Sequence, residues 1–437
     1  MNRAALMTAP ARYVMPFVLF LVLVTLSVFS PRSGLIAIAA IITFTVALLR
    51  PKAVFFAMIA LLPVTAFDLL GNVSYIRFVG LLLTVCLGLR IAMLHIDIPQ
   101  DDTYKYFGLF FIGGTLSLFS AVNPPVSIER LFTYLSLFLF YFLGRYFFRQ
   151  LRDVNISVDV LILSTLSFQF LGVKTHSGLQ RISAGVGDPN GYAALLDVLI
   201  PLAIYRWVNA RGVQRMLYLP VIIALTVLLL LTGSRGGYLG FLGAACVLLY
   251  HYGARRILAA TVLAVSLAGT VYFAAPDWFW QRAESITASE GKDSSIDLRI
   301  DHYRAALQMF LEHPVSGVGL NNFQFNNLEY GDVHSQVVHN SYLEVLTGGG
   351  LLCLIPFLMI EWACWRKLSL KHCHEKALCD LLVCLKASFV SLLTTGLFLS
   401  ADYDKTLWFV FALISSAYYL KRTQQSQRGA RVEGTAF

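Results

Sequence analysis

Apolar and polar positions alternate along this chain in blocks, not in the short periods of a water-soluble fold. Apolar runs of roughly 20 residues, the length that crosses about 30 Å of hydrocarbon, recur through most of the sequence. They lie near residues 14–30, 34–49, 53–70, 77–95, 106–122, 128–148, 157–172, 191–207, 216–232, 238–252, 257–275, 342–365, 380–400 and 406–420. Such runs must be helical, because lipid offers no partner to a free backbone amide. Several are short, so twelve spans fit the pattern as well as fourteen. The expectation is an all-α, polytopic integral membrane protein of 12–14 transmembrane helices, with one long segment outside the membrane that carries an amphipathic helix.

Composition agrees. The chain is 57% hydrophobic and 14% charged, against about 25% charged in ordinary soluble proteins. The net charge of +9 does not point to nucleic acid, because the basic residues are scattered between apolar blocks and form no patch with interleaved aromatics. They sort by side instead. Arg50 and Lys52, Arg145 to Arg152, Arg206 to Arg215, Arg255 and Arg256, Arg366 to Lys376, and Lys421 with Arg422 all fall in segments on the side of the amino terminus. By the positive-inside rule that side is the cytoplasm. The run after Arg12 has no small-residue cleavage site behind it and reads as a first span, not a removable leader.

On the opposite side only 173–190, 233–237 and 276–341 interrupt the apolar blocks with anything chemically notable. The sequence thus divides into a helical bundle (1–275), an outer loop (276–341), further spanning helices (342–421) and a polar tail (422–437), expected to lack structure. Within the loop, Asp277-Trp278-Phe279-Trp280 has the aromatic character of a membrane interface. Residues 297–312 place Ile300, Tyr303, Leu307, Phe310 and Leu311 at helical spacing, with Arg299, Asp301, Arg304 and Glu312 opposite. This predicts an amphipathic helix on the outer surface, ended by Pro314, Gly317 and Gly319.

The charge rule leaves three outer arginines unexplained: Arg181, Arg235 in Thr232-Gly233-Ser234-Arg235-Gly236-Gly237, and Arg299. A guanidinium fork matches phosphate oxygens, and glycines beside Arg235 would let backbone amides approach an anion; headgroup contact or an ion pair with Asp188 or Asp301 would also account for them. His339 stands just before a helix start that Ser341 and Glu344 would open as a capping box. The helix dipole there favours a neutral imidazole, which can take a proton from a hydroxyl; a lone loop histidine is more often merely hydrogen-bonded, the reading given to His176, His302, His313 and His334. Asp197 lies deep in a span and is a functional candidate on that ground. Asp402, Asp404 and Lys405 fill the last outer turn, where they either line the same site or cap helices, and capping is the favoured reading. Cysteines sit mostly in apolar spans and suggest no disulfide framework. His372, Cys373, His374 and Cys379 share a loop, but their spacing matches no standard zinc pattern.

Three stretches together resemble the O-antigen ligase and polymerase superfamily of bacterial envelope enzymes. They are Leu231–Gly237; Arg299 with Tyr303, followed by His313-Pro314-Val315-Ser316-Gly317-Val318-Gly319; and His339-Asn340-Ser341-Tyr342-Leu343-Glu344 with Gly348-Gly349-Gly350-Leu351. The stretch from Gly185 to Asn190 is also similar, whereas Cys353 stands where the family has a glycine and puts helix packing there in doubt. The resemblance implies a glycan donor on undecaprenyl pyrophosphate, displayed at the periplasmic leaflet of the inner membrane. It implies a sugar hydroxyl of lipid A–core as acceptor, inversion at the new bond, and no metal or other cofactor. By matched positions it makes His339 the general base, Arg235 and Arg299 the pyrophosphate clamp, and Arg181, Asn190, Asn340 and Tyr303 further substrate contacts. A polymerase joining lipid-linked repeat units, or a ligase that glycosylates proteins, would carry the same motifs. A transporter fits less well, since no repeated halves appear and the candidate groups lie off the midplane.

Overall fold

The computed structural model describes residues 43–64, 75–94, 99–172, 182–183, 186–253, 294–332 and 334–434. The expected spans at 14–30 and 257–275, most of 34–49, the aromatic stretch from Asp277 to Trp280, and Arg181 lie outside them. Two compact units are present: 1–58 with 75–98, and 59–74 with 99–437. All described residues are helix, turn or loop, without a strand among them.

Residues 43–49 are helical, followed by α1 (Pro51–Ala60) and α2 (Tyr75–Leu94). Then come α3 (Tyr104–Leu116), α4 (Pro124–Phe147), α5 (Leu151–Gly172), α6 (Pro189–Asn209), α7 (Gly212–Leu231) and α8 (Arg235–Tyr252). After them stand α9 (Ser294–Glu312), α10 (Ser341–Lys367), α11 (Lys376–Gly396) and α12 (Lys405–Gly434). Among the described residues, α4, α6, α7, α10 and α11 are long and apolar enough to cross a membrane. The larger unit packs α8 and α6 on α11, α7 on α6, α3 on α10, and α4 on α12.

Glycines set the closest approaches. A Cβ on Gly113 of α3 would stand 2.4 Å from the Leu352 carbonyl oxygen and 3.2 Å from Cys353 Sγ. The packing that the glycine-to-cysteine departure at 353 put in doubt is therefore met from the other helix: Gly113 supplies the space and Cys353, fully buried, fills it. At the far end of α10, Lys367 Nζ lies 2.5 Å from Asp101 Oδ1, 2.5 Å from Ser415 Oγ and 2.6 Å from Thr103 Oγ1. Arg145 joins the other oxygen of Asp101 at 3.5 Å. These residues belong to the end where the charge pattern clusters basic positions.

Two expectations are corrected. First, the tail beyond Arg422 continues α12 to Gly434, because Gln425 donates to the His372 carbonyl at 3.0 Å and Gln424 to Glu375. Second, Cys373 and Cys379 are joined in a disulfide between the loop before α11 and its first turn, which takes both sulfurs out of any metal role. The helix expected over 297–312 is present as α9 and is two-sided. Its buried residues are His302, Ala305, Ala306 and Met309, while Ile300, Leu307 and Leu311 are exposed. The small residues admit close packing, and the large apolar ones project from the surface, as a helix lying against lipid requires. Ala305, Ala306 and Met309 form a core with Val318, Phe323 and Val338, so residues 294–340 fold as one compact cap over the start of α10.

Candidate active site

The glycine motifs build the floor of this cap. Helix α10 breaks at Gly350, whose φ of 59° and ψ of −157° lie outside the helical region. The loop after α9 lies across the break and takes up the freed backbone groups. Val318 N donates to Thr347 O at 2.9 Å, Leu351 N to Pro314 O at 2.9 Å, and Leu352 N to Val315 O at 3.2 Å. Inside an apolar helix such a break persists only when another segment satisfies it. The Pro314–Gly319 and Gly348–Gly350 motifs are thus two halves of one backbone joint.

That joint holds the entry to α10. His339 has a φ of 58°, a left-handed conformation uncommon outside glycine and found where the surroundings over-determine it. Asn340 caps the helix, its Oδ1 accepting from Tyr342 N at 2.9 Å and Leu343 N at 3.1 Å. The expected capping box is therefore displaced by one residue: Asn340, not Ser341, is the cap. Glu344 reaches back to accept from Val338 N at 3.4 Å. Ser341 instead donates to Leu399 O at 2.7 Å and accepts from Ala401 N at 2.8 Å.

The His339 ring is half-buried. Burial, and after it the charge of Arg299 and that of His302 when it is protonated, hold its imidazole below the ordinary histidine range, with Asp188 acting the other way. Arg299 and His339 are thereby within electrostatic reach of one another, and the neutral ring is the form able to accept a proton.

Arg235 opens α8 behind the cap residue Ser234, whose Oγ accepts from Gly237 N at 3.3 Å and donates to Asn190 Oδ1 at 3.0 Å. Asn190 follows Asp188, the cap of α6, which accepts from Asn190 N at 3.2 Å and Gly191 N at 2.8 Å. The turn bearing Arg235 is thus tied to the turn whose Asp188 acts on His339. The glycines beside Arg235 stand at close helix contacts. A Cβ on Gly236 would stand 3.0 Å from Phe398 Cβ, and one on Gly237 2.7 Å from Ala193 Cβ.

All three segments meet at Leu397 and Phe398, which the sequence did not single out. The Leu397 carbonyl accepts from Tyr303 Oη at 3.0 Å and from Asn340 Nδ2 at 3.1 Å, and Phe398 abuts Gly236. Tyr303 and Asn340, expected as substrate contacts, thus spend these polar groups on holding the site together. Nothing in their residue types distinguishes the two uses.

Other candidates resolve as follows. Asp197 is fully buried against the space at Gly240 and accepts from Thr395 Oγ1 at 3.3 Å, a link between helices. Asp404 accepts from Thr406 N at 2.6 Å, as a cap should. Asp402 is buried, takes the hydroxyl of Tyr134 and, through its carbonyl, Trp408 Nε1 at 2.9 Å. His302 is no loose loop histidine: it is 1% exposed, with Nδ1 2.5 Å from Asp332 Oδ2. Among the described residues no group of three or more His, Cys, Asp or Glu side chains is arranged to hold a metal ion.

A search of curated proteins finds no match to the chain. Residues 220–358, which run from α7 through Arg235, Arg299 and His339 to just past the Gly350 break, match the family model described as O-antigen ligase, a likeness to the O-antigen ligase and polymerase superfamily over this part of the chain.

Proposed function

We propose that this protein is an O-antigen ligase of the bacterial inner membrane, working at the periplasmic face without a metal or other cofactor. The observation that carries the reading is His339. Its backbone is left-handed just before the Asn340 cap, burial and Arg299 favour its neutral imidazole, and the turn of Arg235 is tied to the turn of Asp188, which acts on it.

In this reading the acceptor, a sugar hydroxyl of lipid A–core, gives its proton to His339 as its oxygen attacks the anomeric carbon of the donor glycan. The bond from that carbon to undecaprenyl pyrophosphate breaks on the opposite face, and the leaving group departs with the electron pair, so configuration inverts. Arg235 and Arg299 bind the pyrophosphate and offset the charge that grows on it, with Arg181 as a third cation. Such fixed charges stabilise the transition state more than the ground state. Asn190, Asn340 and Tyr303 hold the turns that present these groups.

The test is reconstitution of the purified protein in vesicles with an undecaprenyl-pyrophosphate glycan and lipid A–core, in the presence of a chelator. The expected result is glycan on lipid A–core. Products in which donor repeats are joined to each other would make the protein a polymerase. Glycan on a periplasmic protein, with none on lipid A–core, would make it a protein ligase. Transfer that stops with the chelator and returns with a divalent ion would overturn the metal-free mechanism.

A further inference from the structure

Two nitrogens near the site lack hydrogen-bond partners among the described residues: Nδ1 of His339 and Nε2 of His302, both out of contact with solvent. Their rings stand 6.3 Å apart, centre to centre. Behind His302 lies an ordered chain. Its Nδ1 is 2.5 Å from Asp332 Oδ2, and the same oxygen accepts from Asn327 Nδ2 at 2.7 Å. Asn327 also donates to the His334 carbonyl at 2.7 Å, and the Phe323 ring stands edge-on against His302, 6.2 Å between centres.

The proton positions follow from chemistry. An ionised carboxylate can only accept, so the hydrogen on His302 Nδ1 points at Asp332. In the neutral ring this leaves the lone pair on Nε2. A buried lone pair without a partner is costly, and so is a buried N–H without an acceptor. The two rings answer each other if the hydrogen of His339 is on Nδ1 and turned toward His302. The lone pair of His339 is then on Nε2, the atom that must meet the acceptor hydroxyl. With the ring centres 6.3 Å apart, one water between the rings would link the two nitrogens.

We propose that His302, oriented by Asp332, is a positioning residue that fixes the tautomer of His339 and steadies its ring as it takes up the acceptor's proton. This rests on His339 being the general base. Nothing in the spacing of His302, Asp332 and His339 along the chain marks them as a set; their contacts and the two buried, unpartnered ring nitrogens do.

The test compares kcat and KM for transfer in His302→Leu, His302→Gln, Asp332→Asn and His339→Ala, and in the double variant His302→Leu/His339→Ala. Leucine removes the acceptor, and kcat should fall about 10- to 100-fold with KM unchanged. Glutamine keeps an oxygen that can accept and should recover most of the loss. Asp332→Asn, of the same shape as the parent, should behave like leucine, because an amide that donates to Nδ1 turns Nε2 into a donor. His302→Leu should cost nothing further once His339 is alanine, since it acts through that ring. A full rate in His302→Leu and Asp332→Asn beside a dead His339→Ala would overturn this inference and leave the base assignment standing. A loss that repeats in full in the double variant would make His302 merely structural and overturn it as well. Full activity in His339→Ala would overturn the base assignment, and this inference with it.

Discussion

Gly350→Ala strikes the joint on which the site rests. At φ 59° and ψ −157° only glycine is comfortable, and an alanine there costs about 1–3 kcal/mol in backbone strain. Its Cβ would stand 2.2 Å from the Val315 carbonyl oxygen and 2.7 Å from Ser316 N. These are backbone atoms, so the loop must lift from the helix as a whole. Lifting breaks the bonds from Val318, Leu351 and Leu352, each worth about 0.5–1.5 kcal/mol net. The combined loss is about 3–7 kcal/mol, a large share of the 5–15 kcal/mol that holds a typical domain together. The assay is the unfolding midpoint of the detergent-purified protein, with Gly108→Ala as control. Gly108 lies inside α3 with open space around its Cβ position, so alanine there should leave stability unchanged or raise it by about 0.5–1 kcal/mol. A Gly350→Ala protein that unfolds with the parent would refute the joint.

The remaining predictions concern the site and its helix contacts. Because burial and Arg299 lower the His339 pKa, the acid limb of kcat against pH should fall below the ordinary histidine value of about 6.5; Arg299→Gln should move it up and Asp188→Asn down, read in whatever rate remains. The same depression makes His339 a stability term with a definite sign: below about pH 6.5 the unfolded chain binds a proton that the folded site resists, so stability falls as pH drops toward the folded value and is unaffected above it. His339→Gln should remove that slope from a series of unfolding midpoints. Asn340→Ala removes the cap and the link to Leu397 and should cost about 1–2 kcal/mol by the same measurement. Gly113→Ala forces a methyl against the Leu352 backbone and should cost about 1–3 kcal/mol.

The helices were legible because long apolar runs admit one backbone solution in lipid: α3 to α8 and α10 to α12 overlap the runs, and α4, α6, α7, α10 and α11 among them are long and apolar enough to cross a membrane. The faces were less legible. In α9 the periodicity showed a two-sided helix, but not that it packs through His302, Ala305, Ala306 and Met309 and leaves Ile300, Leu307 and Leu311 exposed. The cap was missed by one position because asparagine and serine cap equally well, and only the left-handed backbone at His339 decides between Asn340 and Ser341. Tyr303 and Asn340 travel in the same motifs as Arg299 and His339, and their bonds to the Leu397 carbonyl could not be read from the sequence alone. His302 with Asp332, and the turn at Leu397, depend on contacts across tens of residues that no local pattern announces.

The most direct test of the central claim is the transfer rate of His339→Ala in the reconstituted system, with a chelator present and with folding checked by its unfolding midpoint. The account predicts a folded protein that still binds the lipid-linked donor but transfers about 10²- to 10⁴-fold more slowly, the range a general base contributes. A folded His339→Ala protein that transfers glycan at the parent rate would contradict it.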